Sequence, residues 1–138
     1  MVKAAIIGCG KIAQVRHIPE YLEHQAVNLV GFYDLNEKRA EELAEKYGGK
    51  AYGSVEELLA DPQIDAVSIC TANHTHAELT IKALKAGKHV LCEKPMAITL
   101  EECQRMVECA EENHRKLLIG QNQRLTRTHQ IARKLIAD

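Results

Sequence analysis

The sequence predicts an α/β domain built on a doubly wound parallel sheet, with helices on both faces. Three observations carry that expectation. Short apolar runs alternate with longer amphipathic stretches, as in parallel strands joined by crossover helices. A glycine turn lies directly between the first apolar run and the first helical stretch. Helix-capping residues stand where apolar runs give way to helical periodicity.

The first strand is expected over Lys3–Gly8. The helix after it should be interrupted near Ile18-Pro19, because proline lacks a backbone donor and clashes with the preceding turn. The His17-Ile18-Pro19 stretch carries no functional reading. A second strand, Val27–Asp34, leads to Asn36, which caps a helix over Glu37–Tyr47 that Gly48-Gly49 end with left-handed backbone. A third strand is short, Lys50–Tyr52. Ser54 with Glu57, and Thr99 with Glu102, have capping-box spacing.

Further strands are expected at Ala66–Cys70, His89–Cys92 and Leu117–Gly120, with a helix His76–Ala86 closed by Gly87. A last helix, Thr128–Ala137, carries Ile131, Leu135 and Ile136 at helical spacing. Right-handed crossovers make 3-2-1-4-5-6 the leading strand order, with a flavodoxin-like order as the alternative. No repeat or linker divides the chain, so residues 1–138 read as one domain.

Composition narrows the function. Hydrophobic residues make up 46% and charged residues 27%, which is ordinary for a globular protein. A net charge of −1 without a basic run argues against nucleic acid and against an anionic membrane as partners. No apolar stretch approaches the roughly 20 residues that span a bilayer, and no signal-peptide pattern precedes the first strand. The five cysteines are odd in number and hold no C-x-x-C pair, which suits a reducing cytoplasm.

Gly8-Cys9-Gly10-Lys11-Ile12-Ala13 is G-x-G-x-x-A between strand and helix. Gly8 permits a tight turn, Gly10 lets backbone approach a pyrophosphate, and Ala13 lets helix and strand pack closely. The free amides and dipole of the helix start favour phosphate there. Asp34 ends the second strand about 20 residues beyond the motif, where a carboxylate accepts from adenosine ribose hydroxyls. Its charge repels a 2′-phosphate, so NAD is favoured over NADP, although Lys38 and Arg39 follow closely enough to receive one.

Thr71-Ala72-Asn73-His74-Thr75-His76 follows the fourth strand and Cys92-Glu93-Lys94-Pro95 the fifth, both at the sheet edge where ligands bind. The run from Ala83 to Pro95 resembles the signature of the Gfo/Idh/MocA family, named for glucose–fructose oxidoreductase and inositol dehydrogenase. The resemblance extends from Val2 to Arg124, which matches a family arginine after the sixth strand.

That resemblance implies a Rossmann fold and a hydride transfer between NAD and a secondary alcohol of a sugar or polyol. It places Gly8, Gly10, Lys11 and Ile12 at the pyrophosphate and Asp34 at the ribose. Thr71, Asn73 and His76 would line the middle of the cofactor, and Glu93 and Lys94 its nicotinamide side. Lys94 is the implied catalytic residue, its ammonium stabilising developing charge and assisting proton transfer. Pro95 would hold the lysine's backbone through a cis bond. The family's substrate domain, an α/β unit with an open sheet, would lie outside this chain. Its removal would expose apolar surface and favour a homo-oligomer.

Other readings stand beside these. Family members often carry proline where Ala72 stands. His74 and His76 form H-x-H without a third ligand, so no metal is expected. Cys70 and Cys92 end neighbouring strands and read as buried, inert thiols. A solvated surface lysine is the plainer reading of Lys94, and the Glu-Lys-Pro context weighs against it. Transient oxidation by NAD within a hydrolase or lyase, or a non-catalytic dinucleotide-binding module, are the alternative functions.

Overall fold

Six strands form one sheet: β1 (Val2–Ile7), β2 (Val27–Tyr33), β3 (Lys50–Ala51), β4 (Ala66–Ile69), β5 (His89–Cys92) and β6 (Leu117–Ile119). Every pairing is parallel, and the order is β3-β2-β1-β4-β5-β6. This is the expected doubly wound order, and the flavodoxin-like alternative falls. The structure is a computed structural model and describes residues 1–137.

Helices α1 (Ile18–Glu23) and α2 (Glu37–Tyr47) cover one face. Helices α3 (Val55–Ala60), α4 (His76–Lys85) and α5 (Leu100–Glu112) cover the other. Strand alternation divides the core between them. Ile6 and Phe32 pack with Ile18, Ala40 and Leu43, while Ile7, Val67 and Ile69 pack with Leu58, Leu84 and Met106. The last helix, α6 (Arg127–Ala137), buries no residue, and Leu135 and Ile136 are exposed.

The proline does not break the first helix. Residues Ala13–His17 form a π-helical turn in which Ile18 N–H donates to the Ala13 carbonyl, and α1 begins directly beyond it. His17 and Ile18 keep helical backbone angles, and Pro19 sits in the first turn of α1. The wider turn accommodates the ring and its missing donor. It also brings His17 into the interior, where it is 7% exposed.

The capping expectations divide. Thr99 and Glu102 complete a reciprocal box, with Glu102 N–H donating to Thr99 Oγ1 (3.2 Å) and Thr99 N–H to Glu102 Oε2 (3.1 Å). Ser54 Oγ accepts from Glu57 N–H at 3.0 Å, but the Glu57 carboxylate turns instead to Gly53 N–H and Lys50 Nζ. Only half of that box forms.

Far from the strands' carboxyl ends, Lys88 is buried with its Nζ donating to the carbonyls of Asp61 (2.7 Å) and Ile64 (2.8 Å). A buried ammonium is tolerated because it satisfies these backbone acceptors beyond α3. All five cysteines are free. Burial, with the Glu93 and Cys9 charges, pushes the Cys70 thiol up, and burial raises Cys92 to about 11.

Candidate cofactor site

The glycine loop leaves β1 at a crowded point. Gly8 has φ +93, and a Cβ there would lie 2.8 Å from the Cys70 carbonyl and from Thr71 Cγ2. Only glycine allows this crossing of the β1 loop over the end of β4. Gly10 is different. A Cβ there would meet nothing within 4 Å, so no contact inside the protein explains the glycine. Lys11 and Ile12 stand exposed beside it, and Gln14 N–H donates to the Gly10 carbonyl as the helix begins. An open glycine at a helix start is the form a pyrophosphate cradle takes, and the residues fit a dinucleotide.

Asp34, 8% exposed, lies beneath this loop. Oδ2 accepts from Cys9 N–H at 2.8 Å and Oδ1 from Asn36 N–H at 2.8 Å. The carboxylate thereby ties the glycine loop to the start of α2. Arg39, half-exposed, donates from Nη1 to both oxygens at 3.3 and 3.2 Å. Burial, then the Asp34 charge, lifts the neighbouring Cys9 thiol to about 12. It stays a neutral thiol at physiological pH.

After β4, Thr71 Oγ1 lies 2.7 Å from Thr75 Oγ1, and Asn73 is exposed. Ala72 has φ −68 and ψ 144, backbone angles that a proline also adopts. His76 is 1% exposed, with Nδ1 2.7 Å from the Pro95 carbonyl and Nε2 3.2 Å from the Thr71 carbonyl. It braces the two edge loops from below and presents no free ring nitrogen to a ligand. His74 is exposed, and among the described residues no cluster of three or more His, Cys, Asp or Glu side chains is placed to hold a metal.

Glu93 and Lys94 follow β5, and the Lys94–Pro95 bond is cis. Lys94 is exposed and unpaired with any carboxylate among the described residues, while Glu93 lies mostly under cover. Both rim a cleft of about 1020 Å³ that extends past Tyr21 to Arg124. Leu91 and Leu118, paired in register, line it opposite Gln130, Arg133, Lys134 and Ala137 of α6. The cleft includes Ile12 but does not reach Asp34, Thr71 or Asn73, which lie along the open sheet edge. Gly8, Gly10, Asp34, Thr71, Glu93 and Lys94 therefore share the carboxyl ends of four adjacent strands.

Sequence reasoning missed two features. Arg39 was expected only as a possible phosphate partner, yet it lies on the Asp34 carboxylate. His17, given no role, has Nε2 2.8 Å from Glu93 Oε1, and its Nδ1 faces Ser68 Oγ at 3.3 Å. The signal available was Ser68, a hydroxyl within the apolar run Ala66–Ile69, which when buried needs a partner.

Comparison with known proteins agrees with this geometry. Residues 2–121 match the profile of the Gfo/Idh/MocA oxidoreductase family, NAD-binding Rossmann fold. The chain is 37% identical to the myo-inositol 2-dehydrogenase of Thermotoga maritima, over 91% of this chain and 38% of that protein. It is 38% identical to the glucose-6-phosphate 3-dehydrogenase of Bacillus subtilis, over 99% of this chain and 38% of that protein. A 3-ketoreductase from Actinomadura kijaniata, solved in an open conformation with TDP-benzene and NADP, superposes with a TM-score of 0.90 at 27% identity. That match covers 99% of this chain and 43% of the other. The chain thus spans well under half the length of these relatives. With residues 2–121 matching its profile, the chain belongs to the Gfo/Idh/MocA family of oxidoreductases as its NAD-binding Rossmann domain.

Proposed function

We propose that this chain is the cofactor half of a dehydrogenase that moves a hydride between NAD and a secondary alcohol of a sugar or polyol. The observation that carries the reading is the shared edge: the open Gly10, Asp34 and the unpaired Lys94 follow β1, β2 and β5 on one side of the sheet. Named relatives acting on inositol and glucose 6-phosphate support the substrate class.

Gly8, Gly10, Lys11 and Ile12 hold the pyrophosphate, and Asp34 takes the ribose hydroxyls once Arg39 yields them. Thr71 and Asn73 flank the middle of the cofactor, with His76 supporting their loop. Glu93 and Lys94 stand at the nicotinamide end. The nicotinamide supplies the hydride chemistry. Lys94 is the catalytic residue, an ammonium that stabilises negative charge on the alcohol oxygen and assists its proton. The apolar lining at Leu91 and Leu118 excludes water once covered.

Substrate contacts lie on a further α/β domain of the whole enzyme. Exposed Leu118, Leu125, Leu135 and Ile136 favour association of the isolated chain with itself. An odd number of cysteines without a C-x-x-C pair supports a reducing cytoplasm as its location. No described helix is long and apolar enough to cross a membrane.

Calorimetric titration with NAD and NADH tests the reading. Both are expected to bind. No heat from either nucleotide at millimolar concentration rejects it.

A further inference from the structure

Four polar side chains from four segments meet at the inner wall of the cleft. Tyr21 of α1 has its hydroxyl 2.5 Å from Ser68 Oγ of β4. Ser68 Oγ is 3.3 Å from His17 Nδ1, and His17 Nε2 is 2.8 Å from Glu93 Oε1. Ser68 is fully buried, and the His17 and Glu93 side chains are 7% and 14% exposed.

A neutral His17 ring gives the chain one consistent set of protons. A carboxylate only accepts, so the proton between His17 and Glu93 sits on Nε2. A neutral ring then has a bare Nδ1, which accepts from the Ser68 hydroxyl, and Ser68 accepts from Tyr21. Burial holds the Tyr21 phenol above its usual range, so it keeps the proton it donates. In this arrangement every member of the chain is satisfied.

The other end of the chain is the Lys94 backbone. Glu93 Oε2 accepts from Lys94 N–H at 3.1 Å. Gly120, whose N–H pairs with the Cys92 carbonyl, leaves the room for it: a Cβ there would press on Glu93 Oε1 at 3.2 Å. The carboxylate is thus held between His17, Gly120 and the Lys94 amide.

We propose that His17 is a positioning residue, fixing the Glu93 carboxylate against the Lys94 backbone and so setting where the Lys94 side chain stands. This rests on the proposed function only in placing nicotinamide beside Glu93 and Lys94. A merely structural network would stabilise the fold without distinguishing one end of the cofactor from the other.

The test is titration of the full chain with NADH and with ADP-ribose, which lacks nicotinamide, together with long-range 1H–15N NMR of the histidine rings. His17→Leu is expected to weaken NADH about tenfold and ADP-ribose by less than about twofold, as befits loss of one hydrogen bond to a charged group at one end. His17→Gln, which keeps an amide N–H for the carboxylate, is expected to recover most of the loss. The wild-type His17 ring is expected to carry its proton on Nε2. Equal losses for both ligands, no loss for either, or a proton on Nδ1 overturns the proposal. Should His17→Leu not fold, Ser68→Ala must show the same selective loss for NADH in smaller degree. If the wild-type chain binds neither ligand, the proposed function fails, and the tautomer measurement still decides the arrangement of His17.

Discussion

Arg39 lies across the Asp34 carboxylate, its Nη1 3.2 Å from Oδ2 and 3.3 Å from Oδ1. With Cys9 and Asn36 amides also donating, both oxygens are occupied before any ribose arrives. The guanidinium also offsets the negative charge that repels a 2′-phosphate. Arg39→Ala is expected to widen the preference for NAD over NADP by about tenfold, the size of one charge-assisted hydrogen bond. Asp34→Ala is expected to weaken NAD and narrow that preference. Parallel titrations with both nucleotides provide the measurement, and an unchanged ratio in both variants removes this pair from specificity.

The two glycines of the loop should fail in different ways. Gly8→Ala forces a Cβ against the Cys70 backbone at φ +93, and is expected to cost roughly 3 kcal/mol of stability. Gly10→Ala meets nothing in the protein, so its thermal midpoint is expected to match wild type while NADH affinity falls. Melting curves and titrations on the same samples separate the two. Loss of stability at Gly10, or none at Gly8, contradicts the geometry.

Ala72 already holds a proline's backbone angles, with φ −68. Ala72→Pro is therefore expected to stabilise the chain by about 0.5–1 kcal/mol, through a narrower unfolded ensemble. Urea unfolding measures it. Destabilisation would mean that the preceding Thr71 cannot accommodate the ring.

The buried thiols set an alkaline limit. Cys9 and Cys92 are raised from 9.0 to about 12 and about 11, chiefly by burial. In that window the folded state holds protons that the unfolded state has released. The stability they contribute is full below pH 9 and is lost as pH rises through about 11 and then about 12. Urea unfolding is expected to show falling stability above roughly pH 9, with a shallower fall in Cys9→Ala. An identical pH dependence in that variant rules out Cys9 as a contributor.

Strand order, the glycine turn and the edge carrying Asp34 and Glu93-Lys94-Pro95 were legible in the sequence alone. Those features follow from local rules: apolar periodicity sets strand and helix, caps mark starts, and right-handed crossovers place successive loops on one edge. The chain's passage through Pro19 was not legible, because a π turn at Ala13–His17 wins or loses on packing against the sheet rather than on propensity. Nor was Arg39 on Asp34, where side-chain orientation decides between covering an acid and facing a ligand. Least legible was the contact between His17 and Glu93, which are 76 residues apart and joined across Ser68 of β4. No local pattern encodes such a pairing. It exists because β4 and β5 lie side by side in the sheet and the buried polar atoms there, once removed from water, must find one another.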